Sequence, residues 1–124
     1  MKKKTIFIVD DDQIMSQMLS DHLSQNPLYD ISTYNTGEDC IKDLAKDPAA
    51  IVLDYKLNAN DPAAADGLEI LKQIKDIDEN ICVIMLSSQE QYGKALQTIA
   101  RGAMEYVIKD DKAFSKVARI IASL

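Results

Sequence analysis

The sequence predicts a doubly wound α/β domain, a five-stranded parallel sheet with helices on both faces, occupying residues 1–124 as one unit. Three observations carry this reading. Short β-type apolar runs alternate with helical apolar spacings along the whole chain. Five such units joined by right-handed crossovers leave a parallel sheet sandwiched between helices. No repeat, low-complexity tract or interdomain linker interrupts the alternation, and 124 residues with 47% hydrophobic side chains suffice for one ordinary core.

The elements follow in order. Ile6-Phe7-Ile8-Val9 marks a strand near residues 4–9. Ile14, Met18, Leu19 and Leu23 mark the first helix, with Asp12 placed to cap it. A second strand is expected near 29–34, then a helix carrying Cys40, Ile41 and Leu44, where Thr36-x-x-Asp39 resembles a capping box. Ile51-Val52-Leu53 marks a strand near 50–54, and its near-continuous apolar character fits a buried central position. Leu68, Leu71 and Ile74 lie on the third helix. Val83-Ile84-Met85-Leu86 marks a strand near 81–86. Tyr92, Leu96 and Ile99 define the fourth helix, with Gly102 where a left-handed residue often ends one. Tyr106-Val107-Ile108 marks a strand near 104–109. The last helix carries Phe114, Val117, Ala118 and Ile121, with Asp110 or Asp111 available as its cap.

Composition narrows the function. A net charge of -6 argues against nucleic acid or an anionic membrane as direct partner. Met1-Lys2-Lys3-Lys4 followed by Thr5–Val9 superficially resembles a signal peptide, but the apolar stretch is too short and runs into Asp10-Asp11-Asp12. No segment is long enough to span a bilayer. Cys40 and Cys82 lack a Cys-x-x-Cys pairing and are expected as reduced core residues of a cytoplasmic protein.

The chemistry gathers where the strands end. Asp10-Asp11, Asp54, Ser87 and Lys109 each follow an apolar strand run, and open α/β sheets build their sites at the carboxyl ends of strands. Acids held together repel unless a hard divalent cation sits between them, so the set reads as a Mg²⁺ site. A hydroxyl and an ammonium beside such a metal suit a phosphoryl group. His22, near the apolar stripe of the first helix, reads as structural or superficial. The segment from Asp54 to Asn60 hints at a calcium loop but has Lys56 where an acid is needed and no Gly at the sixth position.

Taken together, the pieces resemble the receiver domain of two-component response regulators over essentially the whole chain. The pieces are Ile8-Val9-Asp10-Asp11-Asp12, Val52-Leu53-Asp54, Asp66-Gly67-Leu68-Glu69-Ile70-Leu71, Ile84-Met85-Leu86-Ser87-Ser88, Gly102-Ala103 and Tyr106-Val107-Ile108-Lys109. Each is common alone; the ordered set is specific. The resemblance implies the flavodoxin-like strand order 2-1-3-4-5, which sets Asp10 and Asp11 beside Asp54. It implies Asp54 as phosphoacceptor, and Asp10 and Asp11 holding Mg²⁺ (or Mn²⁺) directly or through water with the backbone carbonyl of Lys56. It further implies Ser87 bonding the phosphoryl group, Lys109 pairing with it and Tyr106 as the switching aromatic. The implied partner is a sensor histidine kinase or phosphotransfer protein. Homodimer or partner contacts are implied on the face of the fourth helix, fifth strand and fifth helix. The domain would catalyse its own phosphorylation and slow dephosphorylation, with Lys56 and Gln89 governing water access.

Three departures stand out. The connection from Tyr55 to Asp66 is longer than the family norm by about five residues. Asp110 follows Lys109 where the family usually has a cis proline, so that peptide is either trans or strained. Ser87 replaces the commoner threonine. The first two support an alternative, a degenerate receiver acting as a phosphorylation-independent interaction module. A flavodoxin or a dehalogenase-type phosphatase fits poorly, because no phosphate loop follows the first strand and no second acid stands two residues after Asp54.

Overall fold

The computed structural model describes residues 3–57, 62–88 and 92–124, the side chain of Tyr92 excepted. Five strands, β1 (Lys4–Val9), β2 (Tyr29–Tyr34), β3 (Ala50–Asp54), β4 (Cys82–Ser87) and β5 (Glu105–Ile108), form one sheet in the order β2-β1-β3-β4-β5. Every pairing is parallel. The helices are α1 (Gln13–Leu23), α2 (Gly37–Lys42), α3 (Gly67–Ile77), α4 (Tyr92–Ala100) and α5 (Ala113–Ala122), with a 3₁₀ turn over Leu44–Lys46. The expected fold class, strand order and strand positions are all observed, to within a residue or so at the strand ends.

The two-residue period of a strand divides the core into two layers. Phe7 and Val9, Ile51 and Leu53, and Val83 and Met85 face α2 and α3, meeting Cys40, Ile70, Leu71 and Ile74. Ile6 and Ile8, Ala50 and Val52, and Ile84 and Leu86 face α1 and α5, meeting Leu19, Leu23, Val117 and Ile121. β3 is buried at all five positions, as its continuous apolar run requires of the central strand.

Several local expectations need correction. On α1, Leu19 and Leu23 are buried, but Ile14 is 73% and Met18 52% exposed, so half of the apolar spacing points away from the core. On α4 Leu96 and Ile99 are exposed while Thr98 is buried. Neither Asp110 nor Asp111 caps α5: Asp110 Oδ1 accepts from Lys112 N (2.9 Å), a tight turn ahead of the helix, and Lys112 occupies the cap position. Cys40 is a free, buried thiol as expected, but Cys82 is only half-buried, its Sγ 3.1 Å from Met104 Sδ. The caps of Asp12 on α1 and Thr36 on α2 do form, and Gly102 ends α4 at φ 103°.

Candidate functional site

The parallel sheet delivers all its carboxyl ends to one edge. Val9 pairs with Leu53, Asp54 with Leu86 and Ser87 with Ile108, so Asp10, Asp54, Ser87 and Lys109 emerge from adjacent strands at one level. The seam between strands is closed by main-chain bonds: Tyr55 N donates to Leu86 O (3.0 Å) and Lys109 N to Ser87 O (2.8 Å). Gly67, the first residue of α3, presses against this end of β3. Its N–H donates to Tyr55 O (2.8 Å), and a Cβ there would collide with the Asp54 carbonyl oxygen and stand 2.7 Å from Tyr55 Cα. Glycine is required by this close approach.

The acids are arranged with distinct duties. Asp10 is buried; its Oδ1 accepts from Asp12 N (2.9 Å) while Oδ2 lies 3.4 Å from Lys109 Nζ. Asp54, also buried, has Oδ1 3.1 Å from Lys109 Nζ and within 3.4 Å of the Lys56 N–H. Asp12 is spent on capping α1 through Ile14 N and Met15 N. Asp11 is half-buried and completes the cluster: one carboxylate oxygen each from Asp10, Asp11 and Asp54 lie within 4.8 Å of one another. A cavity of about 610 Å³ opens above them, with Lys56, Ser87 and Lys109 on its wall.

Electrostatics show a site short of positive charge. Burial above all, then the charge of Asp10, pushes the Asp54 carboxyl up to about 7, against the pull of the Lys109 ammonium and the Lys56 N–H. Burial depresses Lys109, but the charges of Asp54 and Asp10 outweigh it and hold its ammonium above the ordinary lysine value. One cation thus serves two buried acids with a third beside them. Three hard oxygen donors at this spacing fit Mg²⁺ or Mn²⁺, and the uncompensated charge is what a divalent ion would relieve.

The other sequence candidates fall as follows. Ser87 is buried at the end of β4, with its backbone carbonyl held by Lys109 N. Lys56 is exposed on the cavity wall. Tyr106 is half-buried on β5 and packs on the same core layer as Tyr55. Gln89 lies outside the described residues. No peptide bond among the described residues is cis, so Lys109–Asp110 is trans, and Lys109 still reaches both acids. The sequence reading missed Gln13, Ile14 and Ser88 as parts of the cavity wall. Their signal was adjacency alone: each follows an identified acid or hydroxyl within a few positions.

Comparison with known proteins agrees with this geometry. The family model of the response regulator receiver domain matches residues 6–120. Chemotaxis protein CheY of Bacillus subtilis is 28% identical over 109 residues, covering 87% of this chain and 87% of CheY. The transcriptional regulatory protein CssR of the same organism is 27% identical over 105 residues, covering 85% of this chain. The chain spans only 44% of the length of CssR. The BeF3-activated DrrB receiver domain superposes with a TM-score of 0.83 at 28% identity, covering 98% of this chain and 99% of that one. The chain belongs to the response regulator receiver domains of two-component signalling. Among the described residues no helix is long and apolar enough to cross a membrane.

Proposed function

We propose that this receiver takes a phosphoryl group onto Asp54 from the phosphohistidine of a sensor kinase or phosphotransfer protein in the cytoplasm, and thereby changes its partner surface. The observation that carries the reading is the single ammonium of Lys109 set between Asp10 and Asp54, with Asp11 alongside. Such a site is built to gather negative charge and then needs positive charge to hold it. An Asp54 carboxylate oxygen attacks phosphorus as the bond to the imidazole nitrogen breaks, and the nitrogen keeps the electron pair. The transition state is loose, so the protein's work is placement and charge neutralisation. Mg²⁺, or Mn²⁺, held by Asp10, Asp11, Asp54 and the Lys56 carbonyl would neutralise the acids and the incoming phosphoryl oxygens.

The remaining residues take supporting roles. Lys109 passes from pairing the bare carboxylate to pairing the phosphoryl oxygens. Ser87 donates its hydroxyl to the same group, and its movement draws the loop after β4 with it. Tyr106 follows on β5, altering the face of α4, β5 and α5 where Leu96 and Ile99 are exposed and a homodimer or target would dock. Exposed Ile14 on the cavity wall, with exposed Met18 four residues further along α1, offers an apolar landing for the donor protein. Lys56 and Gln89 govern the approach of the hydrolytic water.

Incubation with acetyl phosphate and Mg²⁺, read by intact mass, tests the proposal. A gain of about 80 Da, the mass of one phosphoryl group, is expected and should vanish in Asp54→Asn. Persistent labelling in that variant overturns Asp54 as acceptor. No gain in the wild type leaves the phosphorylation-independent interaction module.

A further inference from the structure

Tyr55, the residue after Asp54, ties the phosphoacceptor to α4. Its backbone is gripped on both sides, by Leu86 O through its N–H and by Gly67 N through its carbonyl. Its half-buried ring packs on the core layer that also carries Ala65, Leu68 and Tyr106. On the outer side the Nζ of Lys94 lies 5.4 Å from the ring centroid, inside the range of a cation–π contact. Lys94 stands in the first turn of α4, where among the described side chains Thr98 is buried and Lys94 and Ala95 half-buried, whereas Gly93, Leu96, Gln97, Ile99 and Ala100 are exposed.

We propose that Tyr55 is a positioning residue whose ring, through Lys94, holds the first turn of α4 against the end of β3 in the resting receiver. The proposal rests on the receiver reading above and adds to it a link that bypasses Ser87 and Tyr106. The ring belongs to the residue that follows Asp54 and is packed against the core, so a shift of that strand end reaches α4 without passing through a loop. A phosphoryl group on Asp54 brings a charge near -2 onto the residue that precedes Tyr55, and in this proposal its pull on the Lys94 ammonium opposes the ring contact. The contact therefore belongs to the unphosphorylated arrangement, and its loss favours the phosphorylated one.

The test uses beryllofluoride, a phosphoryl mimic, with Mg²⁺. A cation–π contact at a partly exposed site is small, so Tyr55→Leu should tighten apparent beryllofluoride affinity by about 2- to 5-fold. Tyr55→Phe, which keeps the π face, should match the wild type. In a Lys94→Met background Tyr55→Leu should change nothing. Amide exchange at Leu96–Ala100 in the resting protein should quicken in Tyr55→Leu and not in Tyr55→Phe. Equal affinity and equal exchange in Tyr55→Leu and wild type overturn the link, as does an effect of Tyr55→Leu that persists without Lys94. Failure of the wild type to bind beryllofluoride overturns the receiver reading itself, a distinct result.

Discussion

Replacing Asp54 with asparagine is expected to flatten the pH dependence of stability in the metal-free protein. Burial and the charge of Asp10 push the Asp54 carboxyl from 3.8 to about 7 in the folded protein, whereas it titrates near 3.9 once unfolded. Between those values the folded state keeps a proton that the unfolded state has released. Stability from this group is fully present below about pH 4 and is lost as pH rises through about 7. The interval from 3.8 to about 7 spans about three pH units, and at 1.36 kcal/mol each the ceiling is about 4 kcal/mol. The cavity above Asp54 is open to water, which solvates the ion, and a working figure is about 2 kcal/mol. For a chain of this size that moves Tm by about 5–10 °C. Lys109 stays charged across the window, since Asp54 and Asp10 hold it above its ordinary value. Melting curves from about pH 5 to 8.5 in a chelator, wild type against Asp54→Asn, isolate Asp54 together with its coupling to Asp10 and Lys109, because the distant groups cancel in the difference. Across this range the wild type should lose between about 1 kcal/mol, on the working figure, and about 3 kcal/mol, at the ceiling, relative to the variant, and regain most of it at pH 8 when Mg²⁺ is added. A difference that is flat, or that rises with pH, refutes the account.

Three further outcomes are expected. Mg²⁺ at ten times its Kd should stabilise the wild type by about 1.4 kcal/mol, and Asp11→Asn, if it weakens binding tenfold, should cut this to about 0.4 kcal/mol by thermal shift. Gly67→Ala should cost about 1–3 kcal/mol in urea denaturation, because its Cβ must push α3 off the Asp54–Tyr55 backbone. Lys56→Asn should speed loss of phosphate from the isolated protein about 2- to 5-fold, the worth of one exposed ion pair, followed by intact mass after removing the donor. An unchanged rate would mean that Lys56 does not guard the site.

What was legible in the sequence follows from which signals are local. The strands were readable because β3 and β4 bury both faces, leaving runs such as Ile51-Val52-Leu53 with no polar interruption. The site was readable because a parallel sheet brings every strand's carboxyl end to one edge, so Asp54, Ser87 and Lys109 needed only their positions after apolar runs. The exposed half of α1 was not readable: helical spacing of Ile14, Met18, Leu19 and Leu23 is the same whether a residue meets the core or open solvent. Asp110 looked like a helix cap because the residue type serves both a cap and the turn before one, and only the backbone decides. The Tyr55–Lys94 contact joins positions 39 apart across three elements and leaves no local pattern at all.

The strand-end site and α4 differ in how their energy is held. At the sheet edge Asp10 and Asp54 are buried with one shared ammonium, so the site carries an electrostatic cost that a divalent cation would relieve together with Lys109. On α4, among the described side chains, Thr98 alone is fully buried, Lys94 and Ala95 are half-buried, and Leu96 and Ile99 turn outward. A helix with so little burial has a low local stability, and a small change in free energy at its first turn alters its population of positions. Contacts worth about 1 kcal/mol or less, such as a lysine on a tyrosine face, matter there in a way they do not on α3, whose Ile70, Leu71 and Ile74 are sealed in the core. The electrostatic cost is concentrated at the strand ends that hold the acids, and the compliance in the outward-facing turns of α4.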